Sequence, residues 1–189
     1  MFPEQIKTFR EMVTLKDGAY ILLRPMVQED KQRLIEYYSP VSDEDLRYFR
    51  DHDVKDPQFI QEWCDNLNYG KVLPILALAK DRVVGSASLH FFDGPKRHVG
   101  EVRLFLSKDY RKRGLGMKMI RALIDLARKN GLSILYCEVI ADMSKVVKAF
   151  EQLGFKPQAT LDDFFMFPDG DLCDVVIMTL SLRPKTDEF

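Results

Sequence analysis

Apolar and polar positions follow two rhythms along the chain. In the second half, "VLPILALAK" (72–80) and "RVVGSASLHFF" (82–92) are nearly continuous apolar runs parted by Lys80-Asp81, the pattern of an antiparallel strand pair. "VGEVRLFLS" (99–107) predicts a third strand and "LSILYCEVI" (132–140) a fourth. Between them Leu115, Met119, Leu123 and Leu126 recur at helical spacing, which predicts a helix over 114–129. "SKVVKAFEQLG" (144–154) predicts a helix stopped by Gly154. Two last strands, about 155–166 and 174–182, flank the turn "FPDGD".

The first half is more polar. Residues 3–12 read as a short helix, and "VTLKDGAYILLRPM" as a hairpin turning at Asp17-Gly18. Helices are expected over 28–38, over 42–49 behind an N-cap Ser42, and over 56–68 with Pro57 at the start. No repeat, low-complexity tract or linker interrupts the chain. One domain over 1–189 is expected, with residues 1–18 as an N-terminal extension. Strands followed by helix, strand, helix and strand imply an α/β sandwich on a mixed sheet.

Charge and cysteine content narrow the chemistry. A formal net charge of −1 excludes a general polyanion binder, so any anion site must be local. Cys64, Cys137 and Cys173 are odd in number and widely spaced. They make no metal-ligand spacing with His52, His90 or His98, so no metal is expected. Free cysteines suit a reducing compartment. No apolar run approaches the ~20 residues of a membrane span, and "MFPEQIKTFREM" lacks a signal-peptide core. The expectation is a cytoplasmic protein with no membrane partner.

One segment breaks local rules. "RKRGLG" (111–116) puts three cations and two glycines where a strand becomes a helix. Glycine weakens a helix, and cations are badly placed at its N-terminus. Both costs make sense if the segment holds an anion. The first helical N–H groups are unpaired there, and glycine admits a ligand close to the backbone. The dinucleotide pattern G-x-G-x-x-G fails at Met119, and no Gly-Lys-Ser/Thr follows. A glycine-rich helix start with solvated charges is the plain alternative.

The stretch "VRLFLSKDYRKRGLGMKMIRALIDLA" resembles the acetyl-CoA-binding motif of the GNAT superfamily of N-acetyltransferases. "MSKVVKAFEQLGFK" (143–156) is similar to the later helix of that family. "YILLRPMVQED" and "DDFFMFPDGDLCDVVIMTLSL" resemble the ends of the catalytic domain of bacterial Pat-type protein lysine acetyltransferases. The resemblance covers about residues 19–182. It implies a GNAT-like, mostly antiparallel central sheet with helices on both faces and a splayed strand pair that binds CoA. It implies that Arg111, Lys112, Arg113, Gly114, Leu115 and Gly116 wrap the pyrophosphate. It also implies that Leu104, Phe105 and Leu106 bond the pantetheine arm through their main chain.

Acetyl transfer to an amine of pKa ~10.4 benefits from a base. Glu101 matches the position of the catalytic glutamate of Pat-type enzymes; its plain alternative is a strand carboxylate paired with Arg103 or Lys96. A backbone N–H near Leu104 is the expected oxyanion donor. Relatives often carry tyrosine and asparagine where this chain has Phe150 and Met143, so no general acid is inherited. The acidic run Asp43, Glu44, Asp45, Asp51, Asp53 and Asp56 is either a rim attracting a cationic amine or a solvated face. Glu138 and Asp142 either touch substrate or, in the plainer reading, finish a strand or cap a helix; His90 and His98 flank a loop at the surface, and Trp63 joins the core.

Three functions follow. The leading one is an acetyl-CoA-dependent N-acetyltransferase acting on a primary amine, a protein lysine ahead of a polyamine or other small amine, as monomer or homodimer. The second is a non-catalytic acetyl-CoA sensor, favoured by Phe150 and Met143. The third, a nucleic-acid binder using Lys108, Arg111, Lys112, Arg113, Lys118 and Arg121, is opposed by the even charge and the glycines.

Overall fold

The structure, a computed structural model, describes residues 6–49 and 52–183. Its strands are β1 (Glu11–Thr14), β2 (Tyr20–Pro25), β3 (Val72–Ala79), β4 (Arg82–Phe91), β5 (Val99–Leu106), β6 (Ile134–Ile140), β7 (Lys156–Met166) and β8 (Leu172–Ser181). Its helices are α1 (Lys31–Tyr38), α2 (Asp43–Leu46), α3 (Pro57–Asp65), α4 (Leu115–Lys129) and α5 (Ser144–Gln152). The strands form one sheet in the order β1-β2-β3-β4-β5-β6-β8-β7. Only the β5–β6 ladder is parallel among the described residues. This is the mixed, mostly antiparallel sheet that the sequence predicts.

Both faces of the sheet are covered, which is why β3 reads as a continuous apolar run rather than an alternation. On one face α1 and α3 lay Leu34, Tyr38, Ile60 and Cys64 against Leu76 and Leu78. On the other, α4 lays Leu115, Met119, Leu123 and Leu126 against Ile75, Ala77 and Leu89. Each such side chain, fully withdrawn from water, contributes about 1.5–3 kcal/mol. The helical stripe predicted for α4 is therefore its buried face. Phe150 of α5 joins this second layer, packed edge-on against Phe155 at 5.0 Å.

The N-terminus differs from expectation. Of the helix predicted over 3–12, residues 3–5 lie outside the described part, and helix covers only Ile6 and Lys7. Glu11–Thr14 is an edge strand, with Met12 opposite Leu22 and Val13 opposite Ile21. Val13 and Leu15 are buried while Met12 is exposed, a period of two that only a strand satisfies. The Asp17-Gly18 turn forms as predicted: Leu15 N donates to Ala19 O at 2.8 Å, and Gly18 takes φ +85.

Candidate active site

β5 stays paired with β4 from Gly100 to Leu106, yet it meets β6 only at Val99, Gly100 and Glu101. β6 runs on to Ile140 against β8. Beyond Glu101 the two parallel strands therefore part, opening a wedge in the middle of the sheet. Ser107 N donates to Val84 O at 3.1 Å, towards β4. By strand alternation the main chains of Leu106, Leu104 and Val102 turn the other way, into the wedge. The carbonyl of Phe105 is taken by the Tyr37 hydroxyl at 2.8 Å, and the Phe105 ring packs among Tyr37, Tyr38 and Phe49.

The chain leaves the wedge through a single helical turn at Lys108–Tyr110 and enters α4 over Arg111–Gly114. Gly114 occupies the N-cap at φ +86, where no side chain caps the helix. That conformation suits glycine and strains other residues. Lys112 is also left-handed, at φ 61. Gly116 is required for a different reason. A Cβ there would lie 3.1 Å from Leu104 Cδ2 and 3.4 Å from Leu106 Cδ1, so its absence lets the helix start against the end of β5. The first N–H groups of α4, which have no intrahelical acceptor, thus open beside the wedge. Residues of this shape fit a pyrophosphate attached to an extended arm.

The cations behave differently from expectation. Arg111 does not extend from the loop: Nε donates to Leu106 O at 3.0 Å, and both Nη atoms bond Asp45 at 3.1 Å. Arg113 turns to the β1–β2 turn, bonding Asp17 at 2.6 Å and lying 4.4 Å over the Tyr110 ring. Only Lys112 of the three is exposed. Two of these charges also hold the loop in shape, a tertiary contact that spacing does not reveal.

Glu101 is 3% exposed, and its carboxylate receives Arg103 Nε at 2.8 Å and Nη2 at 3.1 Å. Of the two partners the sequence offers, Arg103 is the one found; Lys96 lies over Phe92. His90, one residue before the end of β4, flanks the loop that leads to β5; it stands directly opposite Glu101 and shares a 2.9 Å hydrogen bond with Ser88. Burial pushes the Cys137 thiol up to about 12, with Glu101 and Glu138 adding to the shift, and lifts Cys64 to about 11. Neither thiol is a nucleophile at neutral pH.

A cleft of about 430 Å³ borders the far end of β6. Arg47 and Tyr48 come to it from just after α2, Asp142 and Met143 from the start of α5, and Phe167 and Asp171 from the β7–β8 turn. Arg47 lies 3.9 Å over the Phe167 ring, and Tyr48 meets the same ring edge-on at 5.7 Å. The sequence contained no signal for Arg47, Tyr48 and Phe167, because residues 47 and 167 meet only through the fold. The acidic run nearby is largely engaged. Asp45 is tied to Arg111 and, at 3.6 Å, to Lys108; Asp43 lies 3.6 Å from Lys55; Asp56 caps α3 by accepting from Gln58 N. Asp51 lies outside the described residues.

The family model "Acetyltransferase (GNAT) family" matches residues 32–155, more than half of the chain. Acetyltransferase PA5475 of Pseudomonas aeruginosa is 27% identical over 166 residues, covering 79% of this chain and 82% of that protein. The ribosomal protein bS18-alanine N-acetyltransferase of Escherichia coli is 32% identical over 87 residues, covering 44% of this chain and 58% of that enzyme. Among solved structures, the GNAT domain of S. lividans PAT superimposes with a TM-score of 0.74 at 19% identity, covering 96% of this chain and 99% of that one. The structure of yncA from Salmonella typhimurium with its cofactor acetyl-CoA gives a TM-score of 0.73 at 18% identity, covering 88% and 96%. These two share the fold. No described helix is long and apolar enough to cross a membrane. The matched segment holds α1, the wedge, the glycine loop and α5, and the chain belongs to the acetyltransferase (GNAT) family.

Proposed function

We propose that this N-acetyltransferase moves the acetyl group of acetyl-CoA directly onto a primary amine, with a protein amine such as lysine as the leading acceptor. The observation that carries the reading is the β5–β6 wedge opening onto the glycine loop. A relative named for an alanine of a ribosomal protein supports a protein acceptor, and a fold neighbour named with acetyl-CoA supports the donor.

The residues divide the work as follows. The N–H groups at 114–116 hold the pyrophosphate, and the main chain of Leu104 lies along the pantetheine arm. When bound, acetyl-CoA supplies an acyl carbon activated by its thioester. The acceptor nitrogen forms a bond to that carbon as the carbon–sulfur bond breaks, and in this reading the amide N–H at Leu104 donates to the carbonyl oxygen. Glu101 takes the proton that the amine loses. To do so it must be released from Arg103, whose side chain is 34% exposed and has room to turn outward. Phe150 carries no proton to give, and a thiol of pKa ~8.5 leaves as thiolate without one.

The test is a free-thiol release assay with acetyl-CoA against amines, peptides and proteins. Thiol release that depends on an amine supports the reading. Acetyl-CoA binding without release for any acceptor would replace it with the sensor reading.

A further inference from the structure

The Arg47 guanidinium is only partly used. Among the described residues nothing accepts from Nε, although that atom is buried. Nη2 reaches Asp169 at 3.5 Å and Asp171 at 3.9 Å, longer than the ~2.7–2.9 Å of a good charged hydrogen bond. Those aspartates are 57% and 76% exposed, so water can replace the arginine at little cost. The guanidinium is meanwhile held over Phe167, with Tyr48 edge-on against the same ring. A buried N–H without an acceptor is normally avoided. Here Nε, withdrawn from water, shares one edge of a planar fork with Nη2, on a cleft-lining residue whose guanidinium is oriented by an aromatic ring.

We infer that Arg47 is a specificity-determining residue that receives a carboxylate carried by the acceptor. The inference rests on the acetyltransferase reading and names its substrate class: a primary amine with a carboxylate in the same molecule. Nε and one Nη match a carboxylate in two parallel hydrogen bonds, a geometry that lysine cannot copy. The acceptor displaces Asp169 and Asp171 from Nη2, and a turn of the partly exposed guanidinium then brings Nε, buried at rest, to the same carboxylate. The cleft's remaining charged lining, Asp142 and Asp171, is negative and suits the ammonium of the same molecule. One cation and two carboxylates around one cleft therefore fit an amine that is also an acid, either a free amino acid or a peptide with an acidic residue beside the accepting amine.

The experiment compares matched acceptors by kcat/KM in the thiol-release assay. Lysine is set against cadaverine, its decarboxylated counterpart, and a peptide with Glu beside the accepting amine against the Gln peptide. Wild type should favour the carboxylate member of one pair by about tenfold or more, the worth of a charged hydrogen bond; the pair that responds identifies the free or the peptide source. In Arg47→Gln that ratio should collapse towards one. A general loss of structure lowers both members together and leaves the ratio intact. If Arg47→Gln fails to fold, Asp169→Asn removes the nearer competitor, which does not line the cleft, and should increase the preference. No preference in wild type, a preference that survives Arg47→Gln, or one untouched by Asp169→Asn overturns the inference. If no amine releases thiol, the acetyltransferase reading fails separately. Calorimetry of N-acetyllysine against N-acetylcadaverine in the presence of CoA then decides: equal binding to wild type overturns the carboxylate site, and tighter binding of N-acetyllysine that Arg47→Gln abolishes supports it.

Discussion

Asp45 and Arg111 are joined by two hydrogen bonds of 3.1 Å, and the same guanidinium bonds the carbonyl of Leu106 at 3.0 Å. The pair fastens α2 to the junction of β5 and the glycine loop. A helix of four residues has no stability of its own, so its position depends on such ties and on Ser42, which caps it by accepting from Asp45 N. Arg47, two residues beyond Asp45, inherits that position. The loop proposed to hold the donor and the residue proposed to choose the acceptor are thus linked through one ion pair.

Asp45→Asn should loosen this link. The acceptor KM should rise by about tenfold, in the range of a lost charged hydrogen bond, with a smaller change in kcat. Arg111→Gln should do the same, and the double variant should be little worse than either alone because the partners act as a unit. Steady-state kinetics of the four proteins checks this; fully additive effects would show that the pair does not couple the two sites.

Gly116→Val should abolish acetyl-CoA binding while the fold survives. Its side chain would press on Leu104 and Leu106, already 3.1 and 3.4 Å from a bare Cβ, and push the start of α4 from the wedge. Gly114→Val adds backbone strain at φ +86. Calorimetry with acetyl-CoA, beside circular dichroism, is the measurement. Wild-type affinity in a folded Gly116→Val protein would place the pyrophosphate elsewhere.

The parts of this molecule that were legible in the sequence are those set by local pattern. The stripe Leu115, Met119, Leu123, Leu126 and the runs of β3 and β4 depend on burial alone. Gly114 depends on its own backbone angle. What was not legible depends on residues far apart in the chain. The ion pairs of Arg111 with Asp45 and of Arg113 with Asp17 exist only once the fold brings those residues together. The hairpin was legible from Val13 onward, but Glu11 and Met12, the first half of the short β1, carry little strand signal before β2 is in place. Arg47 gains meaning only from Phe167, at the opposite end of the chain.

Acid stability should be governed by Asp30. It is fully buried, bonded twice by Arg24 at 2.5 and 2.6 Å, and accepts from Val27 N at 2.9 Å. Burial pushes its carboxyl up, but the bonds from Arg24 and Val27 outweigh this and hold it below the ordinary value. A depressed folded value contributes stability that is fully present above the unfolded pKa of ~3.9 and is lost as pH falls through the lower folded one. Asp30→Asn strands the Arg24 charge and should cost about 3–5 kcal/mol at neutral pH. Its urea midpoint should also vary less with pH below about 4 than that of wild type. A wild-type slope there retained by Asp30→Asn would assign the acid transition to other carboxylates.

Glu101 and Arg103 permit a sharper test of mechanism, because the two ends of one ion pair should fail differently. If Glu101 receives the amine proton, Glu101→Gln removes the acceptor and should lower turnover by about 10²–10⁴-fold. The rate should then climb more steeply with pH, since only amine already deprotonated in solution can react. Arg103→Gln removes the group that occupies both carboxylate oxygens. It should cost stability, because it takes a cationic partner from a buried carboxylate, yet per folded molecule it should keep turnover within about tenfold of wild type, far from the general-base loss. A pair that only braces β5 predicts another outcome: both variants destabilised alike, and neither altering the pH–rate profile of the folded fraction. Turnover and profile measured at about 15 °C, around which domain stability is typically greatest, separate the two cases, and an unchanged Glu101→Gln profile from about pH 6 to 9 would remove Glu101 from the chemistry.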